Sequence, residues 1–241
     1  MKSVYNEILS SSLRFFLKDA SVISITGGGG KTSLMVKLAN IFSSYGERVL
    51  VTTTTKVQSN LVFDGGATCL WNYQNGKCVN PGEAVIKENL VKYDKTIIEA
   101  DGSRGLPLKF HTQRDPVVID ETDSTLCVVG LSALGKPIKD VLFGYEELIK
   151  ETTPLPPICS LSFIEKLIDH PSCVQKDKKG RYSFIVFNQA DVLSAEEIEK
   201  INAMMFKKEL NYMLISIKEN KLYAGVKFYL YGFLLRGVLL K

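Results

Sequence analysis

The sequence predicts an α/β protein built on an open, mainly parallel sheet with helices on both faces. Three observations carry that prediction. Short apolar, β-branched runs alternate with stretches of helical period along the chain. The first run, helix and second run are spaced as a βαβ unit, whose two strands run parallel. Four consecutive glycines join the first strand to the first helix, and only backbone without side chains lets a partner approach so closely.

Residues 4–17 place Val4, Ile8, Leu9, Leu13, Phe16 and Leu17 on one helical face. A buried strand follows at Val22–Thr26, then a helix from Lys31 to Ser44 carrying Leu34, Leu38, Ile41 and Phe42, with Gly46 placed to end it. Arg48–Thr54 is the second strand. The turn-rich stretch 61–80 reads as a small irregular or hairpin insertion. Pro81 opens a helix to Val91, and Thr96–Glu99 is a strand ending in the polar loop EADGSRGLPLK. A strand at 125–129 leads into GLSALGKP and a helix over 137–149. TPLPP, residues 153–157, is stiff and is the best boundary candidate in what otherwise reads as one domain spanning 1–241. Beyond it come a helix ending near His170 and the strand YSFIVF at 182–187. A helix capped by Ser194 with Glu197 three positions on follows, then the strand YMLISI at 212–217.

Composition narrows the function. Thirty Lys+Arg against 26 Asp+Glu leave a net charge of +4, too mild for a nucleic-acid footprint. Five cysteines without a C-x-x-C pair argue for reduced thiols rather than a disulfide framework or zinc site. The apolar stretch 222–240 is interrupted by Lys227 and Arg236, so it reads as core packing and not as a membrane span. No secretory signal pattern precedes the first helix, which makes the cytoplasm the expected compartment.

Four constellations carry chemistry. Gly27, Gly28, Gly29 and Gly30 followed by Lys31, Thr32 and Ser33 sit between a strand and a helix N-terminus, where backbone N–H groups can cradle a phosphate. Lys31 would meet the outer phosphates and the Thr32 hydroxyl a Mg²⁺ ion. The loop is shorter than G-x-x-x-x-G-K-[ST], because Ile25 stands where that pattern has its first glycine; the shortened form resembles the phosphate loop of Mur-type ligases. The expected ligand is therefore ATP or GTP with Mg²⁺, on a P-loop NTPase-like three-layer sandwich. Second, Glu99 and Asp101 leave a strand's carboxyl end together and are candidates to hold the metal or orient a nucleophile, with Arg104 and Lys109 beside them to balance phosphate charge. Third, Thr52–Thr55 end the second strand, which makes Thr54 a further candidate metal ligand. Fourth, FNQAD places Asn188 and Asp191 as in the N-K-x-D guanine-reading motif, with Asn188 bracing the loop and Gln189 replacing the lysine, so the base stays open between ATP and GTP. His111 and His170 lie far apart and suggest no metal site.

TGGGGKTS, VLVTTTTK, IIEADGSRGLPLK and VVGLSALGKPI, in that order, resemble the YqeC family of accessory proteins for selenium-dependent molybdenum hydroxylases. The resemblance spans roughly residues 15–200. It implies a P-loop nucleotide-binding protein that acts in maturation of a molybdenum enzyme, with Gly27–Ser33 as the phosphate loop and Glu99, Asp101 and Arg104 as family motif positions. Hydrolysis of the nucleotide is the first expectation, a nucleotide-gated scaffold the second, and a Mur-like ligase the third.

Overall fold

The computed structural model describes residues 2–58, 61–152, 154–208, 210–224, 228–230 and 233–235. Helix α1 (Lys2–Leu17) precedes strand β1 (Val22–Gly27), helix α2 (Lys31–Ser44) and strand β2 (Val49–Thr53). Strands β3 (Lys56–Gln58), β4 (Thr68–Leu70), β5 (Asn72–Gln74) and β6 (Lys77–Val79) follow, then α3 (Glu83–Leu90) and β7 (Lys95–Glu99). Next come β8 (Leu108–Lys109), β9 (Ser124–Gly130), α4 (Ile138–Val141), β10 (Leu142–Phe143), α5 (Tyr145–Glu151) and α6 (Leu161–Asp169). The chain continues through β11 (Tyr182–Asn188), α7 (Ala195–Lys208), β12 (Tyr212–Ser216), β13 (Lys221–Ala224), β14 (Phe228–Leu230) and β15 (Phe233–Leu235).

The main sheet has eight strands in the order β13-β12-β11-β9-β1-β7-β2-β4. Every neighbouring pair is parallel except β12 with β13. β1 is central, and the strands that follow are laid first to one side and then to the other. Its exit is thus a point where the winding reverses, the place where open α/β sheets leave a crevice.

Side chains alternate cleanly across this sheet. Ile23, Ile25, Ile97, Leu126, Val128, Phe184, Val186, Met213 and Ile215 face the helices α1 and α2 and join Leu9, Leu13, Leu34, Leu38 and Phe42 in one core. Their neighbours Cys127, Val129, Ile185, Phe187 and Leu214 face the other way, into a second core with Phe163, Leu167 and Ile201. Val22 and Ile98 pack with Ile86 of α3 on that same far face. Strands buried on both faces explain why the runs read as continuously apolar.

Helix α2 takes the expected bounds. It ends as anticipated, with Gly46 at φ 80° donating to Ser43 O while Glu47 N donates to Phe42 O. The Ser194–Glu197 capping box also forms: Glu197 Oε2 accepts from Ser194 N at 2.8 Å, and Glu197 N donates back to Ser194 Oγ at 3.2 Å. The insertion holds a hairpin, β5–β6, extended by β3 into a three-stranded sheet, while β4 adds to the edge of the main sheet beside β2.

The single helix expected over 137–149 is not formed. α4 stops at Val141, β10 pairs parallel with β8, and α5 restarts only after Gly144 at φ 85°. Phe143 O accepts from Phe110 N at 2.8 Å, so a tertiary strand contact overrides the local helical pattern. A side chain at Gly144 would collide with the Phe110 carbonyl. Of the apolar stretch 222–240, β13 joins the main sheet and β14 pairs with β15; burial from 224 onward lies outside the described residues. Among the described residues no helix is long and apolar enough to cross a membrane.

Candidate functional site

The glycine run leaves β1 and turns sharply into α2. Gly27, Gly29 and Gly30 all have positive φ, at 94°, 80° and 111°. The loop is packed from behind: a Cβ on Gly27 would meet the Val128 carbonyl, and one on Gly29 the backbone of Gly130. Glycine is required here both by backbone conformation and by space.

Where the loop amides point differs from a uniform cradle. Gly27 N donates to Asp101 Oδ2 at 2.8 Å, Gly28 N to Val128 O at 2.9 Å and Gly29 N to Leu106 O at 3.1 Å. These three face into the protein. The amides of Gly30, Lys31, Thr32 and Ser33 meet no acceptor among the described residues; they are the open donors at the start of α2. The anion-accepting end of the loop is therefore the helix terminus, where the macrodipole adds partial positive charge.

Beneath the loop lies a network of buried charges. Asp101 is fully buried, with Lys31 Nζ 3.0 Å from Oδ1 and His111 Nε2 2.6 Å from Oδ2. Lys109 Nζ stands 3.7 Å from Asp101 Oδ2, pairs with Asp115 and donates to Gly102 O. The His111 Nδ1 lies 3.1 Å from the Cys173 carbonyl, which can only accept, so this nitrogen carries a proton. Burial on its own would push the Asp101 carboxyl up; Lys31, His111 and Lys109 outweigh it and hold the group at about 2. Lys31 Nζ also donates to Gly27 O at 2.5 Å and Ser103 Oγ at 3.2 Å, while Asp101 Oδ1 pairs with it by charge and accepts no hydrogen bond among the described residues.

The mouth is different. Thr32 Oγ1 donates to Glu99 Oε2 at 2.8 Å. Burial pushes the Glu99 carboxyl up from its ordinary value, partly opposed by Lys31 and by the Thr32 hydrogen bond. Glu99 and Thr32 are hard oxygen donors side by side, a set that fits Mg²⁺. Among the described residues no group of three or more His, Cys, Asp or Glu side chains is gathered that could hold a metal. A cation here would draw its remaining oxygens from phosphate and water.

The structure thus brings Gly27–Ser33, Glu99 and Asp101 together and draws Lys109 beneath them. Asn188 also joins, donating from Nδ2 to Gly29 O at 2.8 Å and accepting at Oδ1 from Ile217 N at 3.1 Å. Thr54 turns elsewhere: its hydroxyl donates to Val117 O, and it is Thr53 that donates to Glu99 O, each at 2.8 Å. Arg104 is exposed in a turn at φ 51°, with its guanidinium 5.6 Å from the Phe143 ring centroid. Asp191 lies in the turn after β11. Sequence reasoning missed His111, Ser103 and Asp115. The available signal was the polar run from 99 to 115, in which one folded-back loop carries both acids and their cations.

A sequence model described as "YqeC protein" matches residues 23–146, more than half of the chain. Uncharacterized protein YqeC of Escherichia coli (strain K12) is 30% identical over 178 residues, covering 64% of this chain and 70% of that one. No solved structure matches. The chain belongs to the YqeC family.

Proposed function

We propose that this member of the YqeC family binds a nucleoside triphosphate at the start of α2, with Mg²⁺, and hydrolyses it slowly. One observation carries the reading: four open amides, Gly30–Ser33, share a helix terminus with Thr32 and Glu99. A triphosphate tail satisfies those donors, and Lys31 would exchange its weakest partner, Ser103, for a phosphate oxygen. Bound Mg²⁺ would neutralise charge on the β- and γ-phosphate oxygens. Glu99, raised by burial, accepts a hydrogen bond from the attacking water and orients it. Attack on the γ-phosphorus breaks its bond to the β–γ bridging oxygen and yields nucleoside diphosphate, inorganic phosphate and a proton. Service to a molybdenum hydroxylase is the family's contribution to this reading and rests on the resemblance alone.

A second reading, a nucleotide-gated scaffold, has its own support. The segment 103–107 lies on the loop, with Leu106 O accepting from Gly29 N and Pro107 O from Gly130 N. A phosphate that displaces Ser103 from Lys31 loosens this segment and exposes a new surface to a partner.

The test is an equilibrium titration of the full chain with ATP, GTP and inorganic tripolyphosphate, with and without Mg²⁺. Saturable binding is expected, weakened about tenfold or more in Lys31→Ala; Thr32→Ala keeps Lys31 in place and loses the Mg²⁺ dependence. A folded wild type indifferent to all three ligands overturns the reading. Binding without turnover leaves the scaffold.

A further inference from the structure

The ends of β11 and β12 converge on the phosphate loop. Asn188, last residue of β11, holds Gly29 O with one amide atom and Ile217 N, just past β12, with the other. Asn188 is itself buried, so this bridge fixes three strand exits as one unit. Three residues further on, Asp191 presents a carboxylate oxygen, Oδ1, that is shielded from solvent and has no hydrogen-bond partner among the described residues. An unanswered buried acceptor costs stability.

The Tyr223 hydroxyl, close enough for the Asp191 charge to act on it, is already committed. It donates to Glu219 Oε2 at 2.6 Å. Gln189, between Asn188 and Asp191, turns away at φ 67° and accepts at Oε1 from Ser132 N at 3.3 Å. Its side chain braces the β9 exit, which leaves the Asn188 and Asp191 positions intact despite the missing lysine.

Such an acceptor, beside a bridged phosphate loop, points to a ligand that presents N–H groups. An ionised carboxylate accepts only. Guanine offers it two adjacent donors, N1–H and the N2 amino group, which one carboxylate takes bidentately. Adenine sets an acceptor, N1, beside its single N6 amino donor on the same edge, so its ring lone pair would face the carboxylate. We propose that Asp191 selects guanine, which makes the ligand of the site above a guanosine nucleotide; the inference rests on the triphosphate reading. Asp191 and Asn188 lie beyond the region matched by the family model.

Titrating the full chain with GTP, ITP, XTP, ATP and tripolyphosphate in Mg²⁺ decides it. Wild type is expected to prefer GTP over ATP by about tenfold or more, and over ITP, which lacks the N2 amino group, by a smaller factor. Asp191→Asn keeps an acceptor for N1–H but gives a donor to the C2 oxygen of xanthine, so it loses GTP and gains XTP. A gain of XTP binding requires a folded site. Equal wild-type affinity for ATP, ITP and GTP overturns guanine selection and leaves the triphosphate reading standing. Failure to bind any nucleotide or tripolyphosphate removes both.

Discussion

Asp101 and Glu99 leave one strand end two residues apart, yet the floor beneath the glycine loop and the mouth in front of it treat a carboxylate in opposite ways. On the floor, Lys31, the hydrogen bond from His111, and Lys109 depress Asp101 to about 2 despite complete burial. At the mouth, burial wins and Glu99 is raised, with a hydroxyl as its hydrogen-bond partner. The floor pairs its charges within the protein, although Asp101 Oδ1 accepts no hydrogen bond among the described residues, whereas the mouth holds unanswered amides and an acid that a cation would stabilise. Buried charges that are fully paired fix geometry, and incompletely paired ones mark where a ligand enters.

Breaking the floor should have the largest effect. Asp101→Ala strands Lys31, Lys109 and His111 in a buried site and is expected to cost about 3–5 kcal/mol. In a chain of this size that lowers the melting midpoint by on the order of 10 °C. The sign with pH follows from the depressed carboxyl. Its contribution is present above the ordinary value of 3.8 and is lost as pH falls toward about 2. Acid titration followed by circular dichroism should show that loss in the wild type, and the Asp101→Asn variant should lack it. A melting point unmoved by Asp101→Ala would dissolve the distinction between floor and mouth.

Glu99→Gln sharpens the comparison from the other side. A raised carboxyl costs stability as pH climbs above its ordinary 4.5, because the unfolded chain ionises first. Removing the charge should therefore leave the ligand-free melting point unchanged or slightly higher at neutral pH. Mg²⁺-dependent nucleotide affinity should fall by about 10- to 100-fold. Scanning fluorimetry with and without Mg²⁺ and nucleotide separates the two effects. Lost stability alongside lost binding would place Glu99 with the floor instead.

The mouth was legible in the sequence and the floor only in part: Asp101, Lys31 and Lys109 stood out as candidates, but not the fold-back that joins them to His111, Ser103 and Asp115. Strand, glycines, Lys31, Thr32 and helix are contiguous, so their geometry follows from local rules, and α2 was delimited to the residue. Glu99 at a strand's carboxyl end needed only the parallel topology. The floor depends on the chain folding back: β8 pairs with β10, and His111 N donates to Ser172 O, which carries the His111 ring to Asp101. The same β8–β10 pairing broke the helix expected over 137–149. Both misreadings share one physical origin, a two-residue strand contact too short to leave a periodic trace. Thr54 was misplaced more narrowly, since neighbouring threonines point to opposite faces and Thr53 took the Glu99 carbonyl.

The smallest expected effect belongs to Arg104, on the rim where floor and mouth meet. Its exposed guanidinium lies over Phe143, and its backbone at φ 51° holds the turn beside Ser103, whose hydroxyl accepts from Lys31. Arg104→Ala removes a solvated cation without unpairing a buried group, so stability should change by no more than about 0.5 kcal/mol. Toward the proposed triphosphate its charge would act through solvent, so the expected loss of affinity is about threefold and dependent on salt, fading as ionic strength rises. Lys109, paired with Asp115 and Asp101 beneath, offers the contrast: a salt-independent loss of stability on substitution to Ala. If Arg104→Ala instead removed binding at every salt concentration, the guanidinium would have to touch phosphate directly, and the mouth would extend over the whole 102–107 turn.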